Sequence, residues 1–334
     1  MANKTSDAAI YSAVYIGVET VIGISAVFGN ILVIWAVRLK PSLQNTTFYF
    51  IVSLALADLA VGFLVMPLAI VLSLEINFHF HLCLFICCLI IILTNASILS
   101  LLAIAVDRYL QIKIPTRYRA VITSRRICFS ICTVWIISFL VGMVPMFGWN
   151  KRSRLGEEHQ HFLNCTFENV MSIEYIVNFY ICGWIFIPLI IMLMLYIEIF
   201  YLIKKQLKQN SSNHIKKGVF YGKEYKTAKS LALVLLLFAL CWLPLSILHY
   251  VQFYNPSVKK HTLYQPTIFL FILLSHANSA MNPIIYAFKI NKFKEAYIHI
   301  LRTILMQKSE EPANAEHTME EISQDQTINN AMHT

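Results

Sequence analysis

Seven long apolar segments follow one another along the chain, and five of them contain no Asp, Glu, Lys or Arg. Each is longer than the roughly 20 residues that an α-helix needs to cross a bilayer core. They lack the charged outer face of a helix in a soluble bundle and the alternation of a β-barrel strand. The pattern predicts an all-α membrane protein, a seven-transmembrane helix bundle with spans 1 to 7 at Ser12–Val37, Thr46–Leu74, Leu82–Val106, Ile127–Trp149, Tyr175–Ile197, Ser230–Phe253 and Leu263–Phe288.

The composition agrees with this prediction, since 57% of the residues are hydrophobic and 13% are charged, whereas a soluble domain has about a quarter charged residues. With the N-terminus outside, the inner connections and the tail hold 21 of the 27 Lys and Arg residues, as is typical of cytoplasmic loops. The net charge of +9 is then a consequence of topology, with anionic membrane lipid as its simplest partner, and indicates no nucleic-acid binding. We expect a multi-pass plasma-membrane protein with an extracellular N-terminus.

One domain fills most of the chain. We predict an extracellular tail at 1–11, the seven-helix domain at 12–290, an amphipathic helix on the inner membrane surface at 291–306, and a disordered cytoplasmic tail at 307–334. The apolar positions of the amphipathic helix are Phe293, Tyr297, Ile298, Leu301, Ile304 and Leu305.

The outer side of the bundle carries two cysteines and two sequons. Cys83 at the outer end of span 3 and Cys165 in the outer loop face an oxidising compartment, which favours a disulfide between them. A free pair of thiols is the alternative. The sequons at Asn3 and Asn164 are candidates for glycosylation.

Ionisable side chains inside a membrane are costly, so those within the spans are candidates for function. Asp58 lies in the middle of span 2, and polar side chains of span 7 recur at steps of three and four, which places them on one helix face. A carboxylate among hydroxyl and amide oxygens suits a hard cation, with Na⁺ as the abundant candidate. The alternative is a protonated Asp58 in a polar packing network. The predicted allosteric sodium site consists of Asp58, Ser97, Asn278 and Asn282.

A charged triplet, Asp107-Arg108-Tyr109, ends span 3 at the inner membrane face. Arg108 can pair with Asp107, and Glu224 at the start of span 6 lies at the same depth. An Arg108–Glu224 contact that opens is a two-state element of the kind a signalling switch needs, whereas a static anchor formed by a snorkelling Arg is the alternative. Prolines in three spans break backbone hydrogen bonds and provide kinks for such motion: Pro188, Pro244 and Pro283. The predicted switch residues are Asp107, Arg108, Tyr109, Glu224 and Tyr286.

Together these features resemble the fingerprints of class A (rhodopsin-like) G-protein-coupled receptors, one motif in each span and in the same order: Asn30, Asp58, Asp107-Arg108-Tyr109, Trp135, Pro188, Cys241-Trp242-Leu243-Pro244 and Asn282-Pro283-Ile284-Ile285-Tyr286. The resemblance extends from Ser12 to about Leu305. Within that class, Met146-Phe147-Gly148-Trp149-Asn150 and Ser275-His276-Ala277-Asn278-Ser279 are similar to adenosine receptors. Trp184-Ile185-Phe186-Ile187-Pro188 is most similar to the third adenosine subtype.

The adenosine receptor resemblance implies a ligand pocket in the outer half of the bundle. Phe167 would stack on the adenine ring, because an aromatic face matches the π surface of a purine. The resemblance places Leu245 and Ile272 at the sides of the base, Thr94, Ser275 and His276 at the ribose hydroxyls, Glu19 as the partner that orients His276, and Trp242 beneath the pocket. In the alternative, His276 and Glu19 satisfy each other without contacting a ligand.

One position departs from the adenosine receptor pattern. Those receptors read the exocyclic amine and ring nitrogen of adenine with an Asn, and this chain has His249 there. A neutral imidazole offers one donor and one acceptor, in directions that differ from those of an amide. Glu168, beside Phe167, would accept from the amine instead or pair with His249, so the purine preference stays open.

The resemblance implies a receptor, not an enzyme, that binds extracellular adenosine and signals through an inhibitory heterotrimeric G protein to lower cyclic AMP. It further implies arrestin and a receptor kinase as partners. The competing function is a class A receptor with altered purine or nucleoside preference because of His249. A transporter, channel or membrane enzyme is disfavoured, since no inverted repeat or nucleophile–base spacing is visible.

Overall fold

The computed structural model describes residues 2–39, 46–154, 162–209 and 215–303. Within these ranges, seven helical segments are long and apolar enough to cross a membrane, which confirms the predicted bundle. As observed, spans 1 to 7 cover Ile10–Leu39, Phe48–Ser73, Phe80–Lys113, Ser124–Phe147, Tyr175–Gln206, Ala228–Tyr254 and Tyr264–Lys289. The α-helices that form them are Ala2–Leu39, Thr46–Ala60, Met66–Ser73, Phe80–Lys113, Ser124–Met143, Ile187–Gln209, Ile215–Tyr254 and Tyr264–Lys289.

Spans 3 and 5 continue past their predicted inner ends. The apolar pattern stops at Val106 and Ile197, but the helices run on to Lys113 and Gln209. A helix satisfies its backbone hydrogen bonds internally and needs no apolar side chains once it has left the bilayer core. The inner ends of these spans therefore project toward the cytoplasm, where Tyr109 and its neighbours lie.

Span 3 lies at the centre of the bundle. Of the residues in its most apolar stretch, 78% are buried, compared with 28% in spans 4 and 5. Its approach to span 4 depends on Gly142, where an added Cβ would lie 2.4 Å from Cγ1 of Ile92. Small residues at such contacts let helix backbones come close together. Polar side chains also join the spans, since the Asn30 amide donates to the Ser279 carbonyl at 3.0 Å.

Two of the spans contain π-helical segments that the sequence pattern did not indicate. One covers Val61–Val65 in span 2 and the other covers Tyr175–Phe186 in span 5. A proline follows each segment closely, Pro67 in the first case and Pro188 in the second. Because proline has no N–H to close the i→i−4 bond, the preceding turn is free to adopt the wider hydrogen-bonding pattern.

The outer face is held by a disulfide and a small sheet. The predicted bond between Cys83 and Cys165 is present. Beside it, strand β1 (Asn77–His79) pairs antiparallel with strand β2 (Phe162–Asn164), and Cys165 N–H donates to the Ile76 carbonyl at 2.9 Å. These bonds fix the end of the outer loop across the mouth of the bundle.

A terminal helix at 291–303 follows span 7, as predicted. Its apolar residues divide between two faces: Phe293 is fully buried against Tyr286, whereas Ile298 and Leu301 are 41% and 53% exposed. The helix thus packs on the bundle with one face and offers a second apolar face to lipid. The rest of the predicted segment, the tail at 307–334 and the side chain of Asn3 lie outside the described residues.

Candidate functional site

A cavity of about 390 Å³ opens on the outer half of the bundle, between the spans and the outer loop. Its wall contains nine of the ten side chains singled out for ligand binding: Thr94, Phe167, Glu168, Trp242, Leu245, His249, Ile272, Ser275 and His276. These residues are separated by up to 182 positions in the sequence, so the bundle itself brings them together. Glu19 does not line the cavity.

The disulfide and a helix cap position Phe167 at the cavity. Cys165, two residues earlier, is tied to the outer end of span 3. The Thr166 hydroxyl then accepts from Asn169 N–H at 3.2 Å and begins the short helix Phe167–Val170, as an N-cap residue does. The Phe167 ring faces His249 of span 6, with ring centroids 6.4 Å apart. A flat ligand between these elements would meet an aromatic surface.

His276 and Glu19 form a buried pair between spans 7 and 1. Nδ1 of His276 is hydrogen-bonded to Oε1 of Glu19, and Glu19 has no solvent-exposed surface. The carboxylate therefore fixes the orientation of an imidazole that lies on the cavity wall. Beside it, the Ser275 hydroxyl donates to the Ile272 carbonyl at 2.8 Å, so Ser275 keeps acceptor capacity for a ligand hydroxyl.

Glu168 has partners that sequence reasoning missed. Its carboxylate forms a salt bridge with Lys259, accepts from the Tyr264 hydroxyl at 2.7 Å and from the Gln252 amide at 3.4 Å. Burial by itself raises the pKa of Glu168, but Lys259 and Tyr264 outweigh burial and leave the pKa below its ordinary value. The sequence indicated only that Lys259 is a basic residue on the outer side, which does not identify its partner.

His249 lies on the cavity wall with one nitrogen unused. Its Nδ1 is buried and has no hydrogen-bond partner among the described residues. Burying a polar group without a partner is unfavourable, so a ligand atom that bonds to this nitrogen would remove a penalty. The hydroxyl of Tyr180, also on the cavity wall, is likewise buried without a hydrogen-bond partner among the described residues.

Three side chains donate hydrogen bonds to Asp58, which is fully buried. Ser97 and Ser279 donate to Oδ1 at 3.0 Å each, and the Asn282 amide donates to Oδ2 at 2.7 Å. A second cavity of about 10 Å³ adjoins this network and is lined in part by Ser97, Asn278 and Ser279. The carboxylate, hydroxyl and amide oxygens of these side chains are ligands that suit a hard cation. The space is close to that of one water molecule. An ion would therefore fit only if the hydrogen-bond donors of Ser97, Ser279 and Asn282 turned away from the carboxylate.

The inner end of span 3 makes contacts that its triplet alone did not reveal. Asp107 accepts a hydrogen bond from Tyr118 of the second inner loop at 2.6 Å. Tyr109 donates to Glu198 of span 5 at 3.1 Å, and Lys113 contacts the same carboxylate at 3.0 Å. The side chain of Glu224 lies outside the described residues, so its contact with Arg108 stays a prediction.

Comparison with known proteins agrees with this arrangement. Residues 29–286 match the 7 transmembrane receptor (rhodopsin family). Proteins named adenosine receptor A3 from sheep (Ovis aries) and cattle (Bos taurus) are 56% identical over 295 residues, which cover 88% of this chain and 92% of each relative. The adenosine receptor A3 of dog (Canis lupus familiaris) is 56% identical over 298 residues, 88% of this chain and 93% of its own length. The family match includes the outer loop with Phe167, the Asp58 network and the inner triplet.

Proposed function

Since the chain belongs to the rhodopsin family of seven-transmembrane receptors, we propose that it binds extracellular adenosine and activates a heterotrimeric G protein of the inhibitory class, which lowers cyclic AMP. The observation that carries this proposal is the outer cavity, whose wall contains both Phe167 and His276, with His276 oriented by the buried Glu19 behind it. The names of the similar receptors, and the large share of the chain over which they match, support the same ligand.

In this proposal the purine base lies against Phe167, between the apolar side chains of Leu245 and Ile272. The ribose reaches toward Thr94, Ser275 and His276, which offer hydroxyl and imidazole groups to its hydroxyls. Because Glu19 occupies Nδ1 of His276, only the other ring nitrogen is available to the ligand.

A second candidate function is a receptor with altered purine preference. Two observations favour it: Nδ1 of His249 has no partner among the described residues, and Glu168 is engaged by Lys259 and Tyr264. An exocyclic amine would then meet an imidazole rather than an amide, and it would compete with Lys259 for the carboxylate. Guanosine and inosine, which carry an oxygen at the corresponding ring position, are the competing ligands.

We propose an allosteric sodium site at the Asp58 network. Asp58, Ser97, Asn278 and Asn282 would hold the ion, which supplies a positive charge beside the carboxylate. The chemistry of these side chains and the adjoining cavity support the site. Asp58 lies in the middle of span 2, at a depth between the ligand cavity and the inner triplet, so a change in its partners would couple the two faces of the bundle.

The test is a cyclic AMP assay in cells that express the receptor, with endogenous nucleosides removed by continuous superfusion. Concentration–response curves are recorded for deaminase-resistant adenosine analogues, inosine, guanosine and adenine. We expect the adenosine analogues to lower forskolin-stimulated cyclic AMP in a pertussis-toxin-sensitive manner. If only inosine or guanosine acts, the second candidate replaces the first; if no nucleoside acts on surface-expressed receptor, the ligand assignment is wrong.

A further inference from the structure

The cysteines of this chain differ sharply in their surroundings. All eight lie in the described ranges, and Cys83 and Cys165 form the disulfide. Three others are buried in the bundle, and Cys182 is half-buried. Cys128 and Cys132 are exposed, so these two thiols of span 4 are on the surface of the protein.

Cys128 and Cys132 begin a continuous stripe on the outward face of span 4. They are one helical turn apart, on the same face of the helix. The stripe continues at the same spacing with Ile136 and Leu140, which are 58% and 59% exposed, and Phe129 beside it is 74% exposed. Large apolar side chains on an uncovered helix face of a membrane bundle contact lipid. Cys128 and Cys132 carry the smallest side chains of this stripe.

The depth of Cys128 is set by the start of the helix. The α-helix begins at Ser124, and the exposed, basic Arg125 and Arg126 follow at once, which places this end at the inner headgroups. Counted from Ser124, Cys128 lies about 6 Å along the helix axis, at a rise of about 1.5 Å per residue. It is therefore just inside the inner leaflet. The half-buried Cys182 belongs to the outer part of span 5, on the opposite side of the membrane.

We propose that Cys128 is a site of S-acylation by a long-chain fatty acid, whose chain lies along the stripe formed by Cys132, Ile136 and Leu140. A cysteine next to the inner membrane face is the position that membrane-bound acyltransferases modify. The sulfur of Cys128 attacks the carbonyl carbon of a long-chain acyl-coenzyme A. The new carbon–sulfur bond to Cys128 forms, the bond to coenzyme A breaks, and coenzyme A leaves as a thiol that takes up the proton lost by Cys128. No oxidant or reductant is needed.

This site gives the inner face a lipid anchor on span 4. The residues from 289 to 334 contain no cysteine, so S-acylation within that range is excluded. An acyl chain on span 4 adds hydrocarbon contact at another side of the bundle, beside the exposed Phe129 and Ile136. Cys132 is small enough to leave room for the first methylene groups of the chain.

The experiment uses the full-length receptor in cells fed an alkyne analogue of palmitate, with the label on the purified receptor measured before and after hydroxylamine. We expect hydroxylamine-sensitive label on the wild type, its loss in Cys128→Ala, and its retention in Cys132→Ala. Cys182→Ala is the matched control, since it removes a partly exposed membrane thiol from the outer half, and it should keep the label.

Surface antibody staining shows whether each variant is folded and delivered, and mass spectrometry of the wild-type peptide that contains Cys128 locates the acyl group without any variant. A wild type without hydroxylamine-sensitive label overturns the proposal. So does Cys128→Ala with undiminished label, or an acyl group found on Cys132 or Cys182 instead.

Discussion

His249 occupies the part of the cavity where the hydrogen-bonding edge of a purine is proposed to lie. Its Nδ1 is buried without a partner among the described residues, at a typical cost of about 1–3 kcal/mol for an unsatisfied group. A ligand atom that satisfies this nitrogen gains affinity relative to one that does not. In the proposed binding mode, His249 therefore contributes to the discrimination between purines, together with Glu168.

Replacing this imidazole by an amide tests that conclusion. An Asn presents a donor and an acceptor together, which matches the amine and ring nitrogen of adenine. We expect His249→Asn to increase adenosine potency about fivefold, the factor that corresponds to one hydrogen bond of about 1 kcal/mol. Cyclic AMP concentration–response curves measure the change, with the outward-facing Tyr250→Phe as control. Unchanged potency would mean that the imidazole already reads the base.

Glu168 lies on the cavity wall and is paired with Lys259 of the outer connection between spans 6 and 7, so this pair should slow ligand exit. We expect Lys259→Gln to accelerate dissociation of a radioligand by roughly two- to fivefold, in line with about 0.5–1 kcal/mol for a partly exposed ion pair. The neighbouring Lys260→Gln removes the same charge without the contact and should leave the rate unchanged. Equal effects of the two variants would show that overall charge, not the pair, is responsible.

The pKa of Glu168 determines the pH range of this effect. Because the folded-state pKa lies below its ordinary value, the pair is complete above the ordinary glutamate pKa and is lost as pH falls through the lowered value. We expect the difference between wild type and Lys259→Gln to be the same at about pH 6 and about pH 8, both well above the ordinary value of about 4.3. Dissociation rates at the two pH values provide the measurement, and a difference that disappears at about pH 6 would contradict the assignment.

At the scale of elements, the contact of spans 3 and 4 depends on Gly142. A Cβ there would lie 2.4 Å from the Ile92 side chain and 3.0 Å from its backbone nitrogen, so the helices would have to move apart. We expect Gly142→Ala to destabilise the receptor by about 1–3 kcal/mol, as overpacking does. Gly17→Ala adds the same methyl group where nothing lies within 4 Å and should be neutral or stabilising. Thermal unfolding of the two purified variants compares them directly, and equal melting temperatures would contradict the packing argument.

The π-helical segments show why the helix type within a span could not be predicted from the sequence pattern. Apolar residues surround both Pro67 and Pro188, so the hydrophobic periodicity is the same for α and π turns. The choice between them is made by how neighbouring spans accept the bulge. In span 5 the wider turns bring Tyr180 to the cavity wall, which the pattern around Pro188 did not indicate.

At the scale of the whole molecule, Asp58 connects three spans near the middle of the bundle through its bonds to Ser97, Ser279 and Asn282. We expect Asp58→Asn to abolish the sodium sensitivity of agonist binding, because the amide keeps the size of the side chain but removes its charge. Agonist affinity is compared in sodium and in N-methylglucamine at equal ionic strength. Ser53→Ala, on the same span but outside this network, should retain the wild-type response. A sodium effect that persists in Asp58→Asn would exclude this ion site.

Much of the architecture followed from the chain alone. The seven spans were located from local hydropathy, and the bond between Cys83 and Cys165 followed from their common outer position. The resemblance identified nine residues that line one cavity, although their contacts with a ligand stay predictions. The partners of Glu168, Asp107 and Tyr109 were not found, since each partner lies on a different segment and has no pattern of its own.

Hydropathy and charge along the chain were enough to predict that seven helices cross the membrane, which end of each is inside, and which residues are too polar for lipid. These properties depend on the transfer free energy of each side chain, which adds up locally along the chain. The packed bundle was needed to show that Lys259 meets Glu168, that Tyr118 meets Asp107, and that Cys128 faces outward. Those contacts depend on the rotation and offset of each helix, which the packing of the whole bundle sets.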